Sequence, residues 1–167
     1  MDLPGEIILP SLYPESTIPS YLTAWPAKDL IAAAHQAITR EWWELRREDF
    51  NLYSSQLVIE EVSAGDPRAA EQRLAALQGI PLLALTESVE WIAGELSSRG
   101  LVPEGASADG FHIAYASAHQ VKYLLTWNCR HIANAERLPA IEDFLEQNGL
   151  FVPIVCTPEE LMGDEDE

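Results

Sequence analysis

The residues best suited to chemistry are Glu15, the adjacent pair Glu60 and Glu61, Asp109 and Asn128. Each follows a segment that reads as a strand or opens the helix after one, where open parallel sheets present side chains to ligands. Carboxylates gathered within several ångströms raise one another's pKa unless a cation neutralises them. A hard divalent ion such as Mg2+ or Mn2+ takes oxygen ligands, keeps waters and holds phosphate oxygens, so a cluster of this kind predicts metal-assisted phosphodiester hydrolysis. Taken singly, the same residues read as helix-start acids or a solvated helix face. Other chemistries lack their usual markers. The chain has no Gly-x-x-x-x-Gly-Lys loop, no Gly-x-Gly-x-x-Gly, no Gly-x-Ser-x-Gly elbow and no His-Glu-x-x-His.

The elements that must position these residues follow from periodicity and punctuation. Pro10 and Pro14 bracket Leu12-Tyr13, the expected first strand, although proline removes a ladder hydrogen bond. Over residues 28–47, Ile31, Ala34, Ile38, Trp42 and Leu45 recur at spacings of three and four, predicting an amphipathic helix with that stripe inward. Trp43 lies off the stripe and is the candidate for a partner surface. Residues 50–53 read as a strand, Ser54 or Ser55 as the cap of a helix to about Ala64, and Pro67 as the opening of a helix through Leu77. Residues 80–85 read as a buried strand, and Thr86-Glu87 begin a helix that Gly100 ends.

Residues 106–119 are apolar nearly all round and predict a buried helix. Gly110 within it costs ~1 kcal/mol relative to alanine unless close packing requires it. His112, three residues after Asp109, reads first as a satisfied core histidine and second as a group orienting Asp109 or a phosphate. A core strand over residues 121–127, a helix over 137–148 and a last strand over 152–156 complete the alternation. The pattern predicts one α/β domain with a mainly parallel central sheet flanked by helices.

At 167 residues, 47% hydrophobic and 22% charged, the chain has the balance of a single folded domain and excludes disorder. No apolar run is long enough for a membrane helix. The acidic start at residues 1–6 lacks the basic-then-apolar order of a secretory signal, so a cytoplasmic location is expected. Cys129 and Cys156 are single and unpatterned, which predicts neither a disulfide framework nor a structural zinc site. Ten Lys plus Arg against 27 Asp plus Glu give a net charge of −17. The expected domain spans residues 1–163, and 164–167 form a solvated acidic tail. Such a charge excludes a generic nucleic-acid coat, and a nucleic-acid substrate then requires metal ions or a local basic lip.

Four segments carry a resemblance. Tyr13-Pro14-Glu15-Ser16-Thr17-Ile18-Pro19-Ser20-Tyr21-Leu22, Leu57-Val58-Ile59-Glu60-Glu61-Val62-Ser63-Ala64-Gly65-Asp66, Ala108-Asp109-Gly110-Phe111-His112-Ile113-Ala114 and the stretch from Tyr123 through Thr126-Trp127-Asn128-Cys129-Arg130-His131 to Asn134 occur in the order of the PIN-domain motifs. The sequence resembles the VapC-like branch of that family over residues 7–161. The resemblance implies a small PIN-like α/β domain whose acids bind Mg2+ or Mn2+ and cleave single-stranded RNA. It also implies a toxin role with a cognate antitoxin partner, and a homodimer.

Residue by residue, the resemblance assigns Glu15, Glu61 and Asp109 as metal ligands, with Asn128 at the fourth acid's position. Glu61 is selected over Glu60 because the family's glutamate precedes a glycine by four, here Gly65. Thr17 matches the hydroxyl residue two positions after the first acid, and Thr126 stands two before Asn128. Arg130 and His131 would offer positive charge to a phosphate. Asn128 brings no negative charge where aspartate is usual, and Glu15 adds a methylene, so weaker metal binding with a tilt toward manganese is expected. The altered acids and the −17 charge motivate an alternative: a PIN-fold protein-interaction module with little or no catalysis.

Overall fold

The structure, a computed structural model, describes residues 8–164. The acidic start and all but the first residue of the expected tail lie outside the described residues. In chain order the elements are β1 (Ser11–Pro14), α1 (Thr17–Thr23), α2 (Leu30–Leu45), β2 (Asn51–Leu52), β3 (Ser54–Ser55), α3 (Gln56–Val62), α4 (Pro67–Leu77), β4 (Leu82–Leu83), α5 (Glu87–Ser98), α6 (Ser107–Ala118), β5 (Tyr123–Leu125), α7 (Leu138–Gln147) and β6 (Ile154–Cys156). The main sheet runs β2-β1-β5-β6 with every pair parallel, and β3 and β4 form a second, two-stranded parallel sheet. Helices flank the strands, so the expected α/β architecture with a parallel central sheet is the observed one.

The helix starts are local. Ser55, Asp66 and Thr86 each accept a hydrogen bond from the backbone three residues on, at Val58, Ala69 and Val89. Pro67 opens α4, where its missing N–H would have had no intrahelical partner.

Pro14 ends the central strand without weakening it. Glu15 N donates to Leu125 O on β5 at 2.9 Å, and Tyr53 N donates to Leu12 O on the other side at 2.9 Å. Alternation along a parallel strand therefore turns the Pro14 nitrogen toward the β2 side, just past the last residue of β2, where no ladder bond is lost.

Successive strand residues enter two different cores. Tyr13 and Leu124 belong to the larger cluster, built mainly around α5 and α6, whereas Leu12 and Leu125 belong to a smaller one with Ile18, Trp42, Phe50 and Trp127. The sheet thus separates two apolar layers, as the period of two requires. Helix α6 is buried on nearly every face, as its composition predicts. Gly110 packs closely there: a Cβ at this position would meet the buried Val102 at Cγ2, 3.2 Å away, so Val102 would have to give way.

Three expectations are corrected. Helix α2 exists, but Gln36, Thr39 and Trp42 are its buried residues, while Ile31 and Leu45 of the expected stripe are exposed. The cause is Trp127, whose indole Nε1–H donates to Thr39 Oγ1 at 2.7 Å and whose ring stacks on His35 at 3.9 Å, rotating the helix toward a polar face. Trp43 is not a free partner surface. It packs against both apolar clusters and carries the Arg47 guanidinium over its ring, and the exposed tryptophans are Trp25 and Trp91. The expected buried strand over residues 80–85 shrinks to Leu82–Leu83, with Leu82 and Leu85 exposed, because it pairs only with the two-residue β3.

Candidate functional site

Strand β1 delivers Tyr13 and Glu15 to one side of the sheet, two residues apart, and chain reversal into α1 follows at once. Glu15 is 4% exposed. Its Oε2 accepts hydrogen bonds from Thr17 Oγ1 at 2.6 Å, Thr126 Oγ1 at 2.7 Å and Thr17 N at 3.2 Å. The two threonines are themselves anchored: Thr17 Oγ1 accepts from Trp127 N at 2.9 Å, and Thr126 Oγ1 accepts from Asn128 N at 2.9 Å. Three donors on one oxygen offset part of the cost of burying this carboxylate.

Glu61, on α3 just after β3, accepts at Oε1 from Ser16 Oγ at 2.7 Å and from His112 Nε2 at 2.5 Å. His112 is fully buried, and its Nδ1 lies 2.8 Å from Tyr13 Oη, which in turn lies 2.7 Å from Ser55 Oγ. A carboxylate only accepts, so the proton on this imidazole sits at Nε2. Tyr13 Oη bridges His112 Nδ1 and Ser55 Oγ. Burial raises the Glu61 carboxyl pKa, but the hydrogen bond and charge of His112, followed by the Ser16 bond, outweigh it and hold the group below its ordinary value. Burial pushes Tyr13 well above its ordinary value, and the Ser55 bond offsets this only in part.

Asp109 stands in the first turn of α6. Its Oδ1 accepts from Asn128 Nδ2 at 3.3 Å, and its Oδ2 lies 3.0 Å from His131 Nδ1, which donates. Asn128 Oδ1 accepts from His131 N at 3.0 Å, so the turn after β5 is folded around the asparagine side chain. Asp109 and His131 are only partly buried.

Glu15, Asp109 and Asn128 are thereby joined through Thr126 and His131 at the carboxyl ends of β1 and β5, while Glu61, after β3, belongs to a second network with Ser16, His112, Tyr13 and Ser55, next to the first because Ser16 follows Glu15 in the chain. Glu60 does not join them. It is exposed and lines a separate apolar groove with Leu57, Leu83, Leu85, Phe111 and Tyr115. Arg130 is exposed and borders the site beside His131.

One expectation is refined here. His112 is a satisfied buried histidine, but it touches Glu61 and Tyr13, not Asp109. The oxygen donors suit Mg2+ or Mn2+ in type, yet among the described residues no group of three or more His, Cys, Asp or Glu is placed to hold one metal ion. The chain's own donors reach Glu15 at Oε2 and Glu61 at Oε1, and among the described residues Glu15 Oε1 and Glu61 Oε2 accept no hydrogen bond. Sequence reasoning also missed Ser16, Tyr13 and Ser55 as members of the network. The period of two along β1 is the one signal that aligns Tyr13 with Glu15.

No protein-family model and no curated protein matches the sequence. Among solved structures, the chain is similar to a chain of VapBC2 from Rickettsia felis bound to a DNA fragment from its promoter, with TM-score 0.54 and 15% identity, covering 87% of this chain and 97% of that one. The likeness extends over nearly the whole of both chains, and the fold described above is the fold they share.

Proposed function

We propose that this chain is a VapC-type endoribonuclease that cleaves single-stranded RNA at the cleft of Glu15, Glu61, Asp109 and Asn128, with a cognate antitoxin as its protein partner. One observation carries the reading. Glu15, Asp109 and Asn128, from segments far apart in sequence, share one hydrogen-bonded network at the carboxyl end of a parallel sheet, where α/β folds bind ligands, and Ser16, next to Glu15 in the chain, holds Glu61. The fold likeness to a VapBC2 chain supports it.

In this reading the buried Glu15 and the partly exposed Glu61 set the negative potential of the cleft floor, and the threonines and His112 hold the two carboxylates in place. Asp109 fixes the His131 ring by its Nδ1, which leaves Nε2 open toward the solvent side, where a phosphate oxygen or an attacking water can be hydrogen-bonded. Mg2+ or Mn2+ is the cofactor this reading entails, and Glu15, Glu61 and Asp109 would hold it, Glu15 Oε1 and Glu61 Oε2 being without a donor among the described residues. Three donors already draw on the charge of Glu15 and Asn128 brings none, so weak affinity is expected. The neutral Asn128 and the −17 charge favour a second reading, a protein-interaction module of this fold without catalysis.

The deciding experiment is cleavage of end-labelled single-stranded RNA by the purified protein with Mn2+ or Mg2+, beside calorimetric titration of Mn2+. Asp109→Asn should slow cleavage by ~100-fold or more, the scale of losing a positioned catalytic group. An Asp109→Asn protein that cuts as fast as its parent removes the site assignment. Neither cleavage nor Mn2+ binding selects the interaction module.

A further inference from the structure

Residues 80–85 carry the composition of a buried strand, yet the chain leaves most of the segment uncovered, with Leu82 and Leu85 51% and 56% exposed. Leu83 and Leu85 line an open groove of about 340 Å3 together with Leu57 of α3 and Phe111 and Tyr115 of α6. Apolar side chains from a strand and two helices thus share one trough that nothing in the described chain fills. Contiguous exposed apolar surface of this kind marks an interaction site.

The charge around the trough is of one sign. Glu60 is the charged residue of the lining, Gln56 is neutral, and among the described residues no Lys or Arg lines it. Glu90, on α5, lies close by. Burial first, then the charges of Glu60 and Glu90, push the Tyr115 phenol up, which requires both carboxylates to stand near the same ring. His119 stacks on Tyr115 with ring centroids 6.5 Å apart, but its Nε2 donates to Ala84 O at 2.8 Å and is engaged within the chain.

That bond also bears on the shape of an occupant. Pro81 O accepts from Ser54 N on β3, so alternation turns the Ala84 carbonyl to the open edge of β4. An added strand would have to displace His119 there. A helix laid between α3 and α6 would leave the bond intact.

We infer that this groove docks an amphipathic helix of a partner protein, its apolar anchors at spacings of three and four against Leu57, Leu83, Leu85 and Phe111, and its flanking Lys or Arg facing Glu60 and Glu90. The net charge of −17 draws in a basic chain of this kind. A second copy is the poorer occupant, because a two-fold arrangement over the groove would set Glu60 and Glu90 against their own counterparts. The inference does not rest on the ribonuclease reading, since the surface on α3, β4 and α6 is separate from the Glu15 cleft.

The test uses two fluorescein-labelled synthetic peptides of one helical design, with Leu at spacings of three and four and the flanking positions all Lys in one and all Glu in the other. Each is titrated with the full chain at physiological salt and read by anisotropy. The Lys peptide should bind and the Glu peptide should not. Leu85→Gln, at an exposed position, should weaken the Lys peptide by about tenfold, the scale of losing one anchor. Glu60→Lys should weaken it as well and admit the Glu peptide. Glu71→Lys makes the same change of charge at an exposed position of α4 outside the groove, and should leave both titrations within about twofold of the parent. No binding of the Lys peptide overturns the inference, as does parental affinity in Leu85→Gln. An effect of Glu71→Lys equal to that of Glu60→Lys overturns it in favour of net charge alone. A parent chain that is dimeric by light scattering, and that Leu85→Gln makes monomeric, overturns it in favour of a second copy.

Discussion

Replacing Thr126 with valine tests the site's internal logic with almost no change of shape. Thr126 is 0% exposed, and its hydroxyl does two things at once: it donates to Glu15 Oε2 at 2.7 Å and accepts from Asn128 N at 2.9 Å. Valine deletes one of three donors on the buried carboxylate and leaves a backbone N–H without a partner. A hydrogen bond to a charged group contributes about 1.5–3 kcal/mol, and an orphaned buried donor costs about 1–3 kcal/mol, so a loss near 3 kcal/mol is expected. For a chain of this size that lowers Tm by roughly 6–12 °C. Urea unfolding should show a lower midpoint with an unchanged slope. Thr126→Ser keeps the hydroxyl and should recover most of the stability. A double-mutant cycle with Glu15→Gln should give a coupling of about 0.5–3 kcal/mol. A loss below about 0.5 kcal/mol for Thr126→Val, or no coupling, would mean that water supplies the missing donor and that Glu15 is not held as described.

Gly110→Ala should destabilise by about 1 kcal/mol, because the added methyl meets Val102 at 3.2 Å in a packed layer and overpacking outweighs the gain in helix propensity; Val102→Ala in the same background should recover part of the loss, and a more stable Gly110→Ala would show that the α5–α6 layer yields freely. Thr39→Val removes the acceptor of the buried Trp127 indole, for an expected loss of about 1–3 kcal/mol with a shift in tryptophan fluorescence; unchanged fluorescence and urea midpoint would contradict this account of the rotation of α2. Burial pushes the Cys156 thiol up to about 12, so at pH 8 it carries almost no thiolate, whereas Cys129 is exposed. Alkylation of the native protein, read by mass spectrometry, should modify Cys129 and spare Cys156 until unfolding. Native labelling of both at equal rates speaks against the packing of β6.

The helix starts at Ser55, Asp66 and Thr86 are legible in the sequence because each N-cap bond spans three residues. The α/β alternation and the burial of α6 are legible for a similar reason: local composition decides both. The face presented by α2 is not legible. Its apolar stripe points to Ile31 and Leu45, but Trp127, more than 80 residues away, turns Thr39 inward instead. Residues 80–85 carry the composition of a buried strand, and nothing within them reveals that their one partner strand is two residues long.

The site divides along the same line. Residue types and their order along the chain suffice to nominate Glu15, Glu61, Asp109 and Asn128, since that information is carried by position after a strand. What each carboxylate holds is a matter of tertiary structure: Thr126 reaches Glu15 across 111 residues, His112 reaches Glu61 across 51, and His131 reaches Asp109 across 22. Hydrogen bonds form wherever the packed backbone brings a donor within about 3 Å, and no local pattern encodes that proximity. The chain's own order of amino acids thus decides which groups are available, and the packing of α3, α6 and the β5 turn against β1 decides which of them meet.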